Sequence, residues 1–240
     1  MPLELPRLSA GRNCATPNDA PSPTARTLRA FFDVLREAYG PQHWWPGETP
    51  LEIAVGAILT QNTNWSNVER AIARLREAGC LDWERLGDID EGRLAELIRP
   101  AGYFNVKARR IKHFVAWFRE SCGGDWEALR RRPLDDLREE LLSIHGIGRE
   151  TADSILLYAL QRPTFVVDAY TARVLRRHRL LDEDADYERI KAVFEDALPA
   201  DVGMFNEYHA LLVAVGKKHC RPAARCAGCP LERFEHDAEP

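Results

Sequence analysis

The feature that most constrains this chain is a helical spacing of its apolar residues, which recurs almost from end to end. Apolar side chains return every three or four positions, the repeat that places them on one face of an α-helix. Strictly alternating apolar patterns, which are typical of strands, are nearly absent. Short stretches of glycine, proline, aspartate or asparagine separate the helical segments. The pattern predicts an all-α fold. The predicted helical segments are residues 28–39, 51–59, 68–78, 94–98, 108–118, 134–142, 151–160, 172–180, 187–197 and 207–216.

The composition is that of a globular protein. With 240 residues, of which 45% are hydrophobic, the chain is long enough to bury a sizeable core. Residues 1–25 differ, because they are rich in proline, serine, alanine and asparagine without an apolar period, and we expect a loosely held tail there. The N-terminus lacks the pattern of a secretory signal, and apolar runs such as residues 53–59 are too short to span a membrane. We therefore expect a cytoplasmic protein without membrane contact.

Charge gives only local indications of a partner. The formal net charge of −4 provides no overall signal for nucleic-acid binding. Two basic clusters stand out, at residues 99–119, which carry six Lys or Arg and no acid, and at residues 173–179. Taken alone, both clusters fit solvated helix faces.

The most informative motif is a hairpin, His-Gly-Ile-Gly at residues 145–148, between two predicted helices. Gly146 and Gly148 allow positive φ angles, and Ile147 between them anchors the turn in the core. The bare backbone amides at the start of the second helix form an anion site, and Arg149 adds a positive charge beside it. A DNA phosphate fits such a site regardless of base sequence. A lone GxG is equally compatible with an ordinary corner between helices.

The context of this hairpin resembles the helix-hairpin-helix (HhH-GPD) superfamily of base-excision DNA glycosylases. That superfamily combines the hairpin, a GxGxxTA motif, a second helix and an aspartate about twenty residues later. The matching residues are Gly146, Gly148, Thr151, Ala152 and Asp168. The resemblance extends from about residue 51 to residue 229. Within the superfamily, the chain most resembles the bacterial 3-methyladenine glycosylases, a branch related to endonuclease III. The motifs that carry this resemblance are QNT, GYFNVKA, GIGRETA, ILLYA and VVDAY.

The resemblance implies two helical lobes with a DNA-binding cleft between them. A central, barrel-like lobe that contains the hairpin is expected at residues 45–158. The second lobe is expected to combine residues 26–44 with residues 159–240, including a cysteine loop at residues 220–229. The implied partner is double-stranded DNA that contains a damaged base, bound by a monomer associated with the nucleoid.

By the same resemblance, Asp168 is the catalytic carboxylate. Breaking an N-glycosidic bond builds positive charge on the deoxyribose, which a fixed carboxylate stabilises while it orients an attacking water. Asp168 also suits the N-cap of a helix that begins near Ala169, and the two roles are compatible. Strand-cleaving relatives carry a lysine at the position of Glu150, and an acid cannot form the Schiff base. We therefore expect a monofunctional enzyme, with Glu150 either an accessory carboxylate or a solvated helix residue.

Two further motifs resemble the DNA-facing loops of the superfamily. Residues 58–63, ILTQNT, place Gln61 where it would fill the gap left by a flipped base, with Asn62 beside it. Residues 101–108, AGYFNVKA, place Tyr103 at a wedge position and Lys107 near the phosphates. The alternatives are a polar helix end for the first motif and core packing for the aromatic residues of the second.

The resemblance also bears on the excised base. Adenine-excising relatives have a glutamate at the position of Ala57, which counts against that substrate. Cationic alkylated purines have a weakened glycosidic bond, so aromatic stacking and shape suffice to bind and excise them. Five aromatic residues are candidates for the walls of the base pocket, and packing in the core is the alternative for some of them. They are Trp44, Trp45, Trp65, Phe104 and Tyr170.

Three cysteines crowd near the C-terminus, at Cys220, Cys226 and Cys229. Their spacing is close to the loop that holds a [4Fe-4S] cluster in endonuclease III relatives, but the fourth cysteine of those relatives is missing. Four thiolates are the usual ligand set, so His236 or Cys14 is the candidate fourth ligand. We favour the cluster in a structural role. A zinc site with three cysteines and a histidine, or a loop without metal, are the alternatives.

Two other functions remain compatible with the sequence. A glycosylase for deaminated or mismatched pyrimidines would share all these parts and differ in its pocket lining. A protein that binds damaged DNA without catalysis would leave every base in place.

Overall fold

The computed structural model describes residues 20–45 and 47–237, and these residues form twelve α-helices without a β-strand. The predicted all-α fold is confirmed. None of the described helices is both long and apolar enough to cross a bilayer. The helices are α1 (Pro23–Tyr39), α2 (Pro50–Thr60), α3 (Trp65–Glu77), α4 (Trp83–Asp88), α5 (Glu91–Leu97), α6 (Phe104–Cys122), α7 (Trp126–Arg130), α8 (Leu134–Ser143), α9 (Arg149–Ser154), α10 (Ala169–Arg177), α11 (Tyr187–Glu195) and α12 (Val202–Lys218).

Most helices start at a side chain that caps the first turn. Nine of the twelve have a serine, threonine, asparagine or aspartate whose side-chain oxygen accepts a hydrogen bond from a first-turn N–H. Ser22 caps α1 and Pro23 opens it, so the helix starts before residue 25, where we expected the tail to end. The rest of the expected tail, residues 1–19, lies outside the described residues.

Two short helices, α4 and α7, were not predicted from the apolar spacing. Each is about one or two turns long, and each buries a single leucine, Leu86 in α4 and Leu129 in α7. A helix of this length shows no measurable apolar period. The local signal is the cap, since Asp82 and Asp125 each accept a hydrogen bond from an N–H two residues later.

The buried apolar residues form two clusters. The first lies among α2 to α9 and includes Phe114 and Phe118. The second lies among α1 and α10 to α12, together with the buried extended segment before α10, where Phe165 stacks on Phe194. Trp45 packs against both clusters. Each fully buried leucine or phenylalanine contributes about 1.5–3 kcal/mol of hydrophobic stabilisation.

A single stretch of chain belongs to both clusters. It is a π-helical turn, Ile155–Ala159, which continues α9 directly. Ile155, Leu156 and Ala159 pack in the first cluster, whereas Leu157 and Tyr158 pack in the second. This turn therefore fixes the position of the hairpin helix relative to α12.

A buried charge cluster makes a second connection between the two parts. The carboxylate of Asp153 on α9 is fully buried and accepts hydrogen bonds from Arg138 Nε at 2.8 Å and Lys191 Nζ at 3.2 Å. The hydroxyl of Tyr187 donates to it at 2.8 Å. The cluster joins α8, α9 and α11, and so holds the hairpin helix against the second group of helices.

We expect Asp153→Ala to lower the free energy of unfolding by about 3–5 kcal/mol, because it removes the fully buried carboxylate and leaves Arg138 and Lys191 only the more exposed glutamates of α11 as partners. The exposed pair of Arg99 and Glu96 provides a matched control, and Glu96→Ala should cost less than about 1 kcal/mol. Urea unfolding measures both values. Equal stability of the two variants would contradict the role assigned to Asp153.

Candidate active site and DNA interface

The hairpin has the predicted form, with one difference. α8 ends at Ser143, α9 begins at Arg149, and Ile147 between them is buried. Gly146 has a positive φ of 94°, but Gly148 has a φ of −93° and is not left-handed. Only the first glycine therefore uses the conformational freedom that we expected of both.

The two glycines also differ in their surroundings. A Cβ atom at Gly146 would lie 2.4 Å from Cγ of Arg110, so the arginine side chain packs directly on the hairpin backbone. At Gly148 no described atom lies within 4 Å of an added Cβ. The backbone of Gly148 thus faces open space, where a ligand has room to approach.

Gln61 lies against the hairpin. Its side-chain nitrogen donates to the carbonyl of Gly146 at 3.2 Å and to the buried hydroxyl of Thr151 at 2.9 Å, and Arg110 donates to its side-chain oxygen. The next residue, Asn62, is exposed and has a left-handed φ of 53°. The loop after α2 and the hairpin therefore form one continuous surface.

Tyr103 is the most prominent aromatic side chain on the surface. It is 70% exposed, and it adopts a left-handed φ of 47° immediately before α6. Non-glycine residues rarely occupy this region, and when they do they are often found at functional sites. The position is compatible with the expected wedge.

Lys107 does not reach the surface. Its side chain is only 1% exposed, and Nζ donates to the carbonyls of Leu59 at 2.9 Å and Ala101 at 2.7 Å. Burial, assisted by the nearby charge of Arg110, lowers the pKa of Lys107 to about 8. The expectation that Lys107 lies near the DNA phosphates is wrong, because its ammonium group is buried and donates its hydrogen bonds to these two carbonyls.

Asp168 caps α10 and lines a cleft between the two apolar clusters. Its Oδ1 accepts a hydrogen bond from the backbone N–H of Thr171 at 2.7 Å, and its Oδ2 lies 3.6 Å from Nε2 of His209. Burial alone would raise the pKa of Asp168, but His209 and the Thr171 N–H outweigh it and hold the pKa below its usual value. The cleft therefore contains an ionised carboxylate at neutral pH.

His209 is the residue of this site that sequence reasoning missed. It lies on α12, is 5% exposed, and its Nδ1 is 2.6 Å from the hydroxyl of Tyr158. The sequence offered one signal, a single titratable side chain within the otherwise apolar run 209–215.

Glu150 provides a second carboxylate in the same cleft. It is exposed to solvent, but it lies in a concave wall whose desolvation raises its pKa, and the negative charge of Asp168 raises it further. The environments of the two carboxyls thus shift their pKa values in opposite directions. Such a pair can place a proton donor next to an ionised group.

Aromatic rings form one wall of the cleft. Trp45 stacks on Tyr158 with ring centroids 4.8 Å apart, and Trp65 packs edge-on against Trp45 at 5.0 Å. Trp44 contacts the ring of His209 edge-on at 6.2 Å, and Tyr170 lines the cleft on the side of α10.

Phe104 is not part of this wall. It packs against the first apolar cluster and under Arg99, whose guanidinium lies 5.1 Å from the ring centroid. The expectation that Phe104 lines the base pocket is wrong, because its partly buried side chain packs against the first apolar cluster and does not line the cleft.

The cleft is open and large. Its volume is about 910 Å³, which is at the upper end of the roughly 300–1,000 Å³ of a small-molecule pocket. Ala57, at the position where adenine-excising relatives have glutamate, lines it without a carboxylate. Arg149 lies at its rim, half exposed, with Asp186 at 3.8 Å and Glu188 at 3.4 Å.

The three C-terminal cysteines are free thiols that line one small pocket, together with His236. Burial raises the pKa of Cys229, and the neighbouring Cys220 and Cys226 raise it further. Among the described residues, no group of three or more His, Cys, Asp or Glu side chains is arranged to hold a metal ion. The thiols are gathered but do not form a complete ligand set, and Cys14 lies outside the described residues.

Comparison with known proteins bears on the identity of this fold. The sequence profile of the HhH-GPD superfamily base excision DNA repair protein matches residues 55–200, which is more than half of the chain. The chain is also 50% identical over 206 residues to the putative DNA repair glycosylase MJ1434 of Methanocaldococcus jannaschii, covering 85% of this chain and 93% of that protein. This chain belongs to the HhH-GPD superfamily.

Solved structures of the superfamily have the same fold. The H. pylori 3-methyladenine DNA glycosylase MagIII, bound to 1,N6-ethenoadenine, superposes with a TM-score of 0.68 at 27% identity, covering 81% of this chain and 97% of that one. An endonuclease III in a trapped covalent intermediate with DNA superposes with a TM-score of 0.75 at 22% identity, covering 88% and 94%. The HhH-GPD chain is thus a member of the DNA glycosylases of base excision repair, as the hairpin motif predicted.

In this HhH-GPD chain, Gly146→Ala should destabilise the protein by about 1–3 kcal/mol, because an alanine at a φ of 94° is strained and its Cβ meets Arg110. Gly148→Ala is the matched control; its φ of −93° suits alanine and its Cβ meets no atom, so it should cost less than about 1 kcal/mol, for the poorer N-cap of α9. Thermal or urea unfolding tests both. A loss in Gly148→Ala as large as in Gly146→Ala would contradict the distinction between the glycines.

Proposed function

We propose that this protein is a monofunctional DNA glycosylase that removes a flipped, damaged base by hydrolysis, with Asp168 as the catalytic carboxylate. The observation that carries the proposal is the environment of Asp168. The carboxylate lines an open, aromatic-walled cleft beside the hairpin, and its two oxygens face the Thr171 N–H and His209.

The reaction needs few groups from the protein. Water attacks C1′ of the deoxyribose, and the bond from C1′ to the base nitrogen breaks with its electron pair moving to the base. The attacking water loses a proton to the solvent and leaves a hydroxyl on the abasic sugar. Asp168 stabilises the positive charge that develops on the sugar and orients the water.

The identity of residue 150 supports the monofunctional assignment. Glu150 occupies the position of the nucleophilic lysine of strand-cleaving relatives, and a carboxylate cannot form a Schiff base with the sugar. Lys217 is the one lysine among the described residues that line the cleft, and its ammonium lies 5.8 Å from the ring centroid of Trp44. It is therefore the residue to examine if strand cleavage is observed.

The cleft walls support an alkylated purine as the substrate. The rings of Trp44, Trp45, Trp65 and Tyr170 offer faces and edges for stacking, and a cationic base is attracted to such rings. The carboxylates of Asp168 and Glu150 make the cleft more favourable for a positive charge. MagIII, named as a 3-methyladenine glycosylase, is similar to this chain across most of its length.

One observation favours a second candidate substrate. Deaminated or mismatched pyrimidines are neutral, and their excision is helped by a proton donated to the leaving base. The raised pKa of Glu150 allows it to supply that proton as an accessory acid. Glu150→Gln would then slow the release of a neutral base and leave the release of a cationic base unchanged.

We assign DNA contacts to the surface formed by the hairpin and the two loops. The open backbone at Gly148 and the guanidinium of Arg149 bind phosphate, and Tyr103 stacks in the opened duplex. Asn62 lies next to the extrahelical base. Gln61 fills the gap left by the base once it is released from its contacts with Gly146 and Thr151, which hold the loop before DNA binds.

Base release from duplex oligonucleotides tests the proposal. The panel contains 3-methyladenine-type, 7-methylguanine, hypoxanthine, uracil, thymine-glycol and mismatched-thymine lesions, each scored with and without alkali. We expect alkali-dependent breaks at an alkylated purine, and Asp168→Asn should lower the single-turnover rate at least about 100-fold, since asparagine keeps the cap but not the charge.

Asp90→Asn is the matched control for this variant. Asp90 caps α5 in the same way, through the N–H of Arg93 at 3.0 Å, and it does not line the cleft. It should leave base release unchanged. Breaks without alkali would overturn the monofunctional assignment, and Lys217→Met would then test its source. Binding of damaged duplex without release of any base would favour the non-catalytic alternative.

We propose further that the cysteine loop binds a [4Fe-4S] cluster in a structural role, through Cys220, Cys226, Cys229 and a fourth ligand, His236 or Cys14. The gathering of three thiols in one pocket supports this, as does Arg177, whose Nη1 lies 3.3 Å from Sγ of Cys220 and favours an anionic sulfur. Zinc bound by three cysteines and His236 is the alternative.

Metal analysis of protein purified without oxygen tests this site. We expect iron and sulfide in equal amounts, lost in Cys226→Ser and retained in Cys80→Ser, whose thiol lies outside the loop. Loss of iron in His236→Ala but not in Cys14→Ser would assign the fourth ligand. Zinc without sulfide would replace the cluster with the zinc site, and the absence of both would contradict a metal in this loop.

A further inference from the structure

We propose that His209, held by Tyr158, is the positioning residue of the active site and keeps Asp168 ionised and in a fixed orientation. The inference rests on the catalytic role proposed above for Asp168. His209 acts through Asp168, with no contact to the reacting sugar required.

The three side chains form a continuous chain of contacts. The hydroxyl of Tyr158 lies 2.6 Å from Nδ1 of His209, and Nε2 on the opposite side of the ring lies 3.6 Å from Oδ2 of Asp168. Tyr158 and His209 are 2% and 5% exposed, so water competes little for these contacts. The three residues come from three elements, the π-helical turn, α12 and the N-terminus of α10.

The contact with Tyr158 determines where the imidazole carries its hydrogen. Burial raises the pKa of Tyr158 well above its usual range, so its hydroxyl keeps a hydrogen. If this hydroxyl donates to Nδ1, the neutral ring carries its hydrogen on Nε2. A ring with its hydrogen on Nδ1 would instead direct a lone pair at the carboxylate, which the negative charge of Asp168 disfavours. The arrangement with an Nε2–H directed at Asp168 is therefore favoured.

The Nε2 of His209 is a buried donor that Asp168 approaches without forming a full hydrogen bond. At 3.6 Å the pair is longer than a hydrogen bond, and Nε2 has no other partner among the described residues. A buried N–H without an acceptor costs about 1–3 kcal/mol, so the ring is drawn towards the carboxylate. Hydrogen bonds of active sites are often long before substrate binds and shorten in the complex.

The orientation of Asp168 follows from these contacts. The Thr171 N–H fixes Oδ1 and His209 faces Oδ2, so both carboxylate oxygens have a partner of their own. Without His209, the capping hydrogen bond alone would remain, and the carboxylate would be free to rotate. Burial would then raise the pKa of Asp168, because its main opposing contact is gone.

Several other titratable groups face this part of the cleft and contribute to its pH dependence. Glu150 on α9 and Tyr187 on α11 line it, and Lys217 on α12 lies over Trp44. A pH profile of activity alone would therefore mix several groups. The pKa of Asp168 itself is the quantity that isolates the role of His209.

The experiment measures this pKa by carbon NMR of protein with labelled aspartate side chains, using Asp168→Asn to assign the signal. His209→Leu should raise the pKa of Asp168, and His209→Gln, which keeps an N–H donor, should bring it back towards the wild-type value. Tyr158→Phe should give an intermediate value. Lys218→Met, which removes a positive charge from the same helix at a residue that does not line the cleft, should leave the pKa unchanged.

The same variants are compared in single-turnover base release. At a pH below both pKa values, the rate of His209→Leu should fall relative to wild type by the same factor as the ionised fraction of Asp168, which is tenfold for each unit between the two pKa values. Binding of lesion-containing DNA should stay unchanged, and the deficit should shrink as the pH rises. A purely structural role of His209 would instead weaken binding and rate equally at every pH.

The outcomes distinguish the two proposals. An unchanged Asp168 pKa in both His209→Leu and Tyr158→Phe would overturn the role of His209, whatever the enzyme does to DNA. If the pKa rises in these variants but wild type releases no base from any lesion, the catalytic proposal fails and the contact between His209 and Asp168 stands. Should His209→Leu not fold, a wild-type pKa in Tyr158→Phe would overturn the inference.

Discussion

The position of the cleft depends on one helical turn whose residues pack in both apolar clusters. In the π-helical turn Ile155–Ala159 the wider ring of the backbone sends Ile155, Leu156 and Ala159 into one apolar cluster and Leu157 and Tyr158 into the other. The hairpin helix thereby lies against the helices that carry the rest of the site. The cleft is the space that remains between two cores joined at this turn.

The charges in the cleft are arranged around this junction. Asp168 and Glu150 are neighbouring carboxyls, yet the first is held ionised by His209 and the Thr171 N–H, while desolvation and Asp168 favour the protonated form of the second. One cleft therefore offers both a fixed negative charge and a group that can hold a proton. Which of the two matters more depends on the charge of the base that leaves.

The sequence predicted those parts of the site that are defined by local structure. The hairpin requires a residue with positive φ at Gly146 and a buried anchor at Ile147, and the cap of α10 requires an oxygen at Asp168. These requirements act over a few residues, so they leave a recognisable pattern. Helices with a recognisable apolar period were likewise predicted, whereas α4 and α7, which bury a single leucine each, were not.

The remaining features depend on contacts between distant segments. Lys107 looks like a surface cation in its motif, but the ends of two other elements place carbonyls around it. His209 is separated from Tyr158 by 51 residues, and nothing in the spacing of either indicates that they meet. Phe104 follows an exposed tyrosine, yet its side chain packs against the first apolar cluster and away from the cleft. Such placements follow from packing, which the local pattern does not encode.

The buried ammonium of Lys107 has a mechanical consequence. It binds the last turn of α2 and the short turn at Arg99–Ala101 at the same time, and these two segments lead directly into the loops of Gln61 and Tyr103. The two loops are thus tied together from inside the protein. In the DNA contact proposed above, a displacement of one loop would therefore be passed directly to the other, so the two would act on the duplex as a single rigid unit.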